Sequence, residues 1–213
     1  MPLKICPSLL SANPAKLGQE LADVEEAGAD AIHWDVMDGN FVEAITFGSQ
    51  MVAAHRKLTA LRFDVHLMVE DPDRHLESFA TAGADVIIVH VEACNHLHRT
   101  LSRIKNLGKK SGIAFNPATC VDGVKYCADI LDMVLIMSVN PGSSGQTFIE
   151  SSLKKISKLR QLVPESMEIC LDGGITAENI KKCVGVNSFV SGAYIFKSNN
   201  YSSAIEALRI NGR

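Results

Sequence analysis

Apolar residues in this chain of 213 residues fall into short runs separated by longer amphipathic stretches. β-Branched and aliphatic runs predict strands over residues 5–10, 31–36, 63–67, 86–91, 111–115, 133–139, 167–171 and 188–190. Between them apolar residues recur every three or four positions, the spacing of a helix with one buried face. Leu17, Leu21 and Val24 follow Asn13 and Pro14, a capping residue with proline at the first helical position. Residues 76–80, 97–104, 153–162 and 180–184 carry the same helical spacing.

The pattern repeats. Ala27-Gly28-Ala29-Asp30-Ala31-Ile32-His33 is nearly copied by Ala82-Gly83-Ala84-Asp85-Val86-Ile87-Ile88, and related apolar runs open at Asp132 and Asn187. The steps between Asp30, Asp85, Asp132 and Asn187 are 55, 47 and 55 residues, about the length of two strand–helix units. Eight units of about 26 residues fill the chain. Uninterrupted strand–helix alternation predicts a parallel sheet with right-handed crossovers. With no linker and no break in composition, residues 1–213 are expected to form one closed (β/α)8 TIM barrel rather than an open doubly wound sheet.

Composition removes several alternatives. Hydrophobic residues make up 46% and charged residues 21%, enough for a full core. Lys and Arg total 21 against 24 Asp and Glu, a net charge of −3, so no basic surplus exists to hold a nucleic acid. The longest apolar runs, such as 133–137, stop far short of the roughly 20 residues that cross a membrane, and the start Met1-Pro2-Leu3-Lys4-Ile5 lacks the apolar stretch of a secretory signal. Six cysteines without a C-x-x-C pair (Cys6, Cys94, Cys120, Cys127, Cys170 and Cys183) read as reduced, mostly buried thiols of a cytoplasmic protein.

Barrel enzymes keep their chemistry at the C-terminal ends of the strands, and polar residues interrupt the apolar pattern there. Alternation puts His33, Asp35 and Met37 on one face of the second strand, and Asp64, His66 and Met68 on one face of the third. The seventh ends Leu171-Asp172-Gly173-Gly174. Singly, a strand-end histidine is commonly a structural hydrogen-bonding group, and an aspartate before two glycines a turn former. Together His33, Asp35, His66 and Asp172 form an N2O2 donor set suited to one divalent ion, zinc first, with manganese and iron as alternatives. Met37, Met68 and Met137 would line the same mouth.

A second group points to an anion. The sixth strand runs into Gly142-Ser143-Ser144-Gly145, the seventh into Gly173-Gly174 with a helix expected from Thr176, and the eighth into Gly192-Ala193-Tyr194. Glycine-rich loops and helix starts after the last strands present backbone N–H groups to a phosphate. The expected ligand is a small phosphorylated compound reaching from these loops to the acid–histidine cluster. His96, His98 and Arg99 read as a solvated helix face, Lys105, Lys109 and Lys110 as a surface patch, and His90 and Glu92 as structural residues bordering the mouth.

At these residues the chain resembles the ribulose-phosphate 3-epimerase family. The matching stretches are 7–12, 32–39, 45–48, 64–68, 114–119, 135–142 and 171–175. The resemblance implies metal-assisted inversion at C3 of a ketopentose 5-phosphate without an organic cofactor. It assigns the metal to His33, Asp35, His66 and Asp172, makes Asp35 and Asp172 the acid–base pair, sets Ser8 and His66 against the substrate, and makes Met37, Met68 and Met137 an apolar cap. The chemistry wants such a pair, because inverting a carbon beside a carbonyl removes a proton from one face and returns one to the other. A small phosphorylated ketose is the expected partner and a homo-oligomer the expected assembly.

Three places depart from the family pattern. Ser143 and Ser144 stand where an aromatic residue and a glycine are usual, Val42-Glu43-Ala44 replaces Val-Pro-Asn, and Gly192-Ala193-Tyr194 replaces Gly-Ser-Ala. None touches the proposed ligands or the acid–base pair. Two further readings follow: a 3-epimerase of a ketohexose 6-phosphate such as allulose 6-phosphate, and a phosphosugar-binding protein with little catalysis.

Overall fold

The computed structural model describes residues 3–212; the expectation for Met1 and Pro2 lies outside them. Its eight strands are β1 (Lys4–Pro7), β2 (Ala31–Met37), β3 (Arg62–Met68), β4 (Val86–His90), β5 (Lys110–Phe115), β6 (Met133–Met137), β7 (Glu168–Asp172) and β8 (Ser188–Ser191). All pair in parallel in the order β1-β8-β7-β6-β5-β4-β3-β2. A parallel bridge between Ser8 and His33 joins the two remaining edges, giving the (β/α)8 barrel that the spacing predicts.

The sequence repeat has a physical cause. Asp30, Asp85, Asp132 and Asn187 each precede an even-numbered strand. Each accepts, through its side-chain oxygen, the N–H of one residue in the preceding odd strand: Ile5, Phe63, Ser111 and Ile169, all at 2.8 Å. Each donates its own N–H to the carbonyl of that same residue at 3.0–3.1 Å. Two bonds to one residue fix the register of each odd–even strand pair, and register decides which side chains face the barrel axis.

Among the described residues seven helices surround the sheet: α1 (Leu17–Glu26), α2 (Ser49–Arg56), α3 (Leu76–Thr81), α4 (Leu97–Asn106), α5 (Ser152–Leu162), α6 (Ala193–Phe196) and α7 (Tyr201–Asn211). Strand–helix alternation is less regular than expected. A 3₁₀ segment, Asp122–Tyr126, occupies the place of a helix after β5, with Gly123 inside it. After β7, residues 177–179 form a turn and only Ile180–Lys182 winds, as 3₁₀, so the helix expected from Thr176 through residue 184 does not form. There Asn179 Oδ1 accepts from Thr176 N at 2.9 Å and Asn179 Nδ2 donates to the Gly174 carbonyl at 2.7 Å. Such local side-chain bonds compete with helix formation. β1 also ends earlier than expected: Ser8 Oγ accepts from Leu10 N at 3.3 Å and opens a 3₁₀ turn, Leu9–Ser11. α2 gave little apolar periodicity to read, since only Val52 in it is buried.

Two apolar shells follow from strand alternation. One packs the outer sheet face against the helices, with Leu21, Trp34, Phe63, Leu67 and Phe189 fully or almost fully buried. The other plugs the barrel axis with residues such as Cys6, Ile88, Leu135, Cys170 and Val190. This plug separates a polar layer at the strand starts from one at the strand ends.

Candidate active site

The layer at the strand ends gathers the four residues expected to bind an ion. Pairing of β2 with β3 sets Asp35 level with His66, and pairing of β6 with β7 sets Asp172 level with Met137. His33 Nε2 lies 3.3 Å from His66 Nδ1, 3.4 Å from Asp35 Oδ1 and 3.6 Å from Asp172 Oδ2. His66 Nδ1 lies 3.3 Å from Asp35 Oδ1 and 3.7 Å from Asp172 Oδ2. One donor atom from each residue falls within 4.8 Å of the others. Ligands about 2.0–2.2 Å from a tetrahedral ion are ~3.3–3.6 Å apart, so the distances of 3.3–3.7 Å made by the two histidines suit a four-coordinate cation, and the donor set fits it.

Burial and the mutual charges of these four groups shift their proton affinities. Burial favours a neutral His33, yet Asp35 and Asp172 hold its pKa up at about 9. Burial would raise the Asp35 carboxyl, but the two histidines hold it well below the usual carboxylate range. Asp172 is pushed up to about 7 by burial and by the charge of Asp35, with His33 opposing. Burial together with His90 and His33 lowers His66 to about 4 despite its bond to Asp35. Burial and the neighbouring charges thus drive the two carboxyl groups apart in proton affinity, Asp172 up and Asp35 down, the split that marks paired acid and base roles.

Above this layer opens a cavity of about 300 Å³. Asp35 and Asp172 line it, as do Ser8, Met37, Met68 and Met137. Ser8 donates to Asp35 Oδ2 at 2.5 Å. The loop residues Gly142, Ser143, Ser144, Gly145, Gly173, Gly174, Gly192, Ala193 and Tyr194 form the other end of the same cavity. His33 and His66 are fully buried and do not line it; they lie behind the two aspartates, so His66 reaches a ligand only through the ion site or Asp35. Gly173 and Gly174 are required here. Both have positive φ, and a Cβ would meet Val139 at 2.4 Å and the Gln146 carbonyl at 2.8 Å respectively.

Several participants escaped the sequence reading. Ser11 lines the cavity, and its buried hydroxyl has no hydrogen-bond partner among the described residues. Lys197 follows α6 and is the one lysine or arginine lining the cavity among the described residues. Its nearness to Gly192 was the available signal. Ser143 Oγ accepts from Gln146 Nε2 at 3.1 Å, leaving its own hydrogen for another acceptor. Asp64 faces inward as alternation requires, but it pairs with Arg62 at 2.7 Å in the opposite polar layer. His96 and His98 are solvated as expected, whereas His90 is fully buried against His66.

No helix among the described residues is long and apolar enough to cross a membrane. The chain is 46% identical to ribulose-phosphate 3-epimerase of Bacillus subtilis (strain 168), a match covering 97% of this chain and 98% of that one. It is 48% identical to the Synechocystis sp. enzyme of the same name over 96% and 92% of the two chains. The chloroplastic ribulose-5-phosphate-3-epimerase of Arabidopsis thaliana is 47% identical over 98% of this chain and 77% of that one. Among solved structures, 3-hexulose-6-phosphate synthase from Salmonella typhimurium superposes with a TM-score of 0.74 over 99% and 98% of the chains. At 15% identity that likeness concerns the fold alone. The sequence profile of the ribulose-phosphate 3 epimerase family matches residues 4–196, and the chain belongs to that family of isomerases.

Proposed function

We propose that this enzyme interconverts D-ribulose 5-phosphate and D-xylulose 5-phosphate by moving a proton between the two faces of C3. The observation that carries the reading is the pairing of Asp35 and Asp172, which line one cavity from β2 and β7 while their proton affinities are driven apart. One carboxylate accepts the C3 proton from its face, and the opposite carboxyl delivers a proton to the other face, so the carbon inverts without net change in protons. The entering epimer selects which aspartate takes and which gives.

The remaining residues hold, orient and shield. Ser8 fixes the Asp35 carboxylate through its 2.5 Å bond. Met37, Met68 and Met137, all buried, keep water from the reacting carbon. His33, Asp35, His66 and Asp172 would hold a divalent ion, zinc by its donor set with manganese or iron as alternatives, and it would supply Lewis-acid stabilisation of negative charge. The loops at 142–145, 173–174 and 192–194 offer backbone N–H groups to the phosphate, with the Lys197 ammonium beside Gly145. The unpaired cysteines suit a reducing compartment, and we assign the enzyme to the cytoplasm.

The test is a coupled assay on ribulose 5-phosphate, xylulose 5-phosphate and allulose 6-phosphate, with deuterium incorporation at C3 followed in D2O. Turnover of the pentuloses with exchange at C3 is expected. Preference for allulose 6-phosphate would reassign the substrate through the altered rim at 43–44, 143–144 and 193–194. Tight binding without turnover would leave a phosphosugar-binding protein.

A further inference from the structure

Behind the four aspartates and histidines runs a second line of polar groups that the epimerisation scheme leaves unused. His66 turns Nδ1 toward Asp35 and Asp172 and Nε2 away from them, to His90 Nε2 at 2.9 Å. The two rings lie within 23° of parallel with centroids 4.9 Å apart, which with so short an N···N contact means side by side, joined by an in-plane N–H···N bond. His90 Nδ1 then meets Glu92 Oε2 at 3.0 Å. Glu92 is anchored in turn, its Oε1 accepting Asn116 N–H at 2.8 Å and the Thr119 hydroxyl. His66 and His90 are fully buried, and the Glu92 side chain is 22% exposed.

This line admits one arrangement of hydrogens that suits an ion. Burial would raise the Glu92 carboxyl, but bonds from His90, Thr119 and Asn116 hold it at about 2, so it only accepts. His90 therefore carries a hydrogen on Nδ1, and the arrangement that bares a ligand nitrogen on His66 has the lone pair of His90 at Nε2. His66 must then carry hydrogen on Nε2, which leaves Nδ1 bare and aimed at the centre of the site. The other histidine has no such support: His33 Nδ1 is buried without a hydrogen-bond partner among the described residues.

We propose that Glu92 and His90 are positioning residues that set the tautomer and orientation of His66, so that His66 Nδ1 is presented as a metal ligand. The inference rests on the metal-site reading above. It gives a task to two residues that from sequence only bordered the mouth, and it reaches a loop beyond β5 through Asn116 and Thr119. Outer partners of this kind are commonly worth 10- to 100-fold in metal affinity.

Glu92→Gln is the sharpest substitution. The Asn116 N–H demands an acceptor, so the amide oxygen takes that place and the NH2 group faces His90 Nδ1. His90 is then driven to the Nε2–H tautomer, which pushes the His66 hydrogen onto Nδ1. His90→Phe removes the acceptor instead, and Thr119→Val removes one anchor of Glu92 while leaving His90 its partner. Zinc(II) affinity of the purified full chain is measured by competition with a chromophoric chelator, and histidine tautomers of the zinc-loaded wild type by long-range 15N–1H NMR. Expected are about 10- to 100-fold weaker zinc binding in Glu92→Gln and His90→Phe, binding within about twofold of wild type in Thr119→Val, and wild-type tautomers with hydrogen on His66 Nε2 and His90 Nδ1. Wild-type zinc affinity in both variants, or hydrogen on His66 Nδ1 in the loaded wild type, overturns the proposal, and the NMR arm stands even where a variant fails to fold. A wild-type protein that takes up no divalent ion overturns this inference and the metal-site reading together. Zinc binding with no epimerase activity would overturn the proposed function alone.

Discussion

The barrel carries a buried polar layer at each end, and the two are built on opposite plans. At the strand starts, Lys4 meets Glu168 at 2.6 Å, while Arg62 meets Asp64 at 2.7 Å and Glu168 at 2.8 and 3.0 Å. Two permanent cations face two carboxylates, and the charges close without help. At the strand ends, Asp35 and Asp172 find only histidines as ion-pair partners among the described residues. That layer relies on raised proton affinities at His33 and Asp172 in place of a lysine or an arginine. Burying a charge costs several kcal/mol unless a partner offsets it. A layer that carries its own countercharge therefore serves the fold, and one that lacks it is prepared for a visitor.

The largest effect should come from removing a carboxylate of the open layer. Asp35→Asn and Asp172→Asn should each lower net epimerisation by at least about a thousandfold, while one epimer still exchanges its C3 proton with D2O. Turnover near wild type in either variant would return this layer to a structural role. Asp172→Asn should not lower the denaturation midpoint of the metal-free protein, because its carboxyl is already disfavoured by burial and by Asp35.

The closed layer should respond in the reverse sense. Glu168→Gln leaves Lys4 and Arg62 short of a partner, and urea denaturation should report a loss of about 3–5 kcal/mol with kcat per folded molecule unchanged. Burial would raise the Glu168 carboxyl, yet Arg62 and Lys4 hold it down from 4.5 to about 2. Its stabilisation is therefore complete above pH 4.5 and fades as pH falls toward about 2. The variant should lack that acid limb; a drop in kcat with unchanged stability would blur the two plans.

Loading zinc should expel the His33 proton. His33 keeps a proton up to about pH 9 and cannot bind metal while it sits on the ligating nitrogen, whereas the Asp172 carboxyl, pushed up to about 7, can ligate through one oxygen and hold a proton on the other. Zinc affinity should thus rise from pH 6 to about 9, by at most ~10-fold per pH unit for the His33 proton. Calorimetry in buffers of different ionisation enthalpy should count about one proton released at pH 7. An affinity flat across that range would mean that the layer is already deprotonated.

The smallest effect concerns the phosphate end. Ser143→Phe with Ser144→Gly removes two hydroxyls, and a bond to a charged group contributes about 1.5–3 kcal/mol. Because Ser143 already accepts from Gln146, the lower bound applies, and KM should rise about tenfold with kcat unchanged. A double variant with lower KM and higher kcat would show that the serines contribute nothing to substrate binding.

His33, Asp35, His66 and Asp172 were legible in the sequence because a strand alternates its faces, so polar residues at strand ends in a barrel pattern can only converge on the mouth. Asp64 obeyed the same alternation, yet it meets Arg62 in the opposite polar layer. Alternation gives the face of a residue and not the partner it meets there. Thr176 and Asn179 show a similar gap, since their bonds to nearby backbone displaced a helix that apolar spacing alone suggested.

Strand count, the fourfold Asp/Asn repeat, the inward faces and the four donors are all readable along the chain, because they depend on periods of a few residues or on local backbone bonds. Which charges pair is settled by the closed barrel. Glu168 reaches Lys4 across 164 residues and Arg62 across 106, and His66 meets His90 on the neighbouring strand. Those contacts exist because the sheet closes on itself and sets distant strands level, and no local period encodes which residue will stand opposite another once the ring is shut.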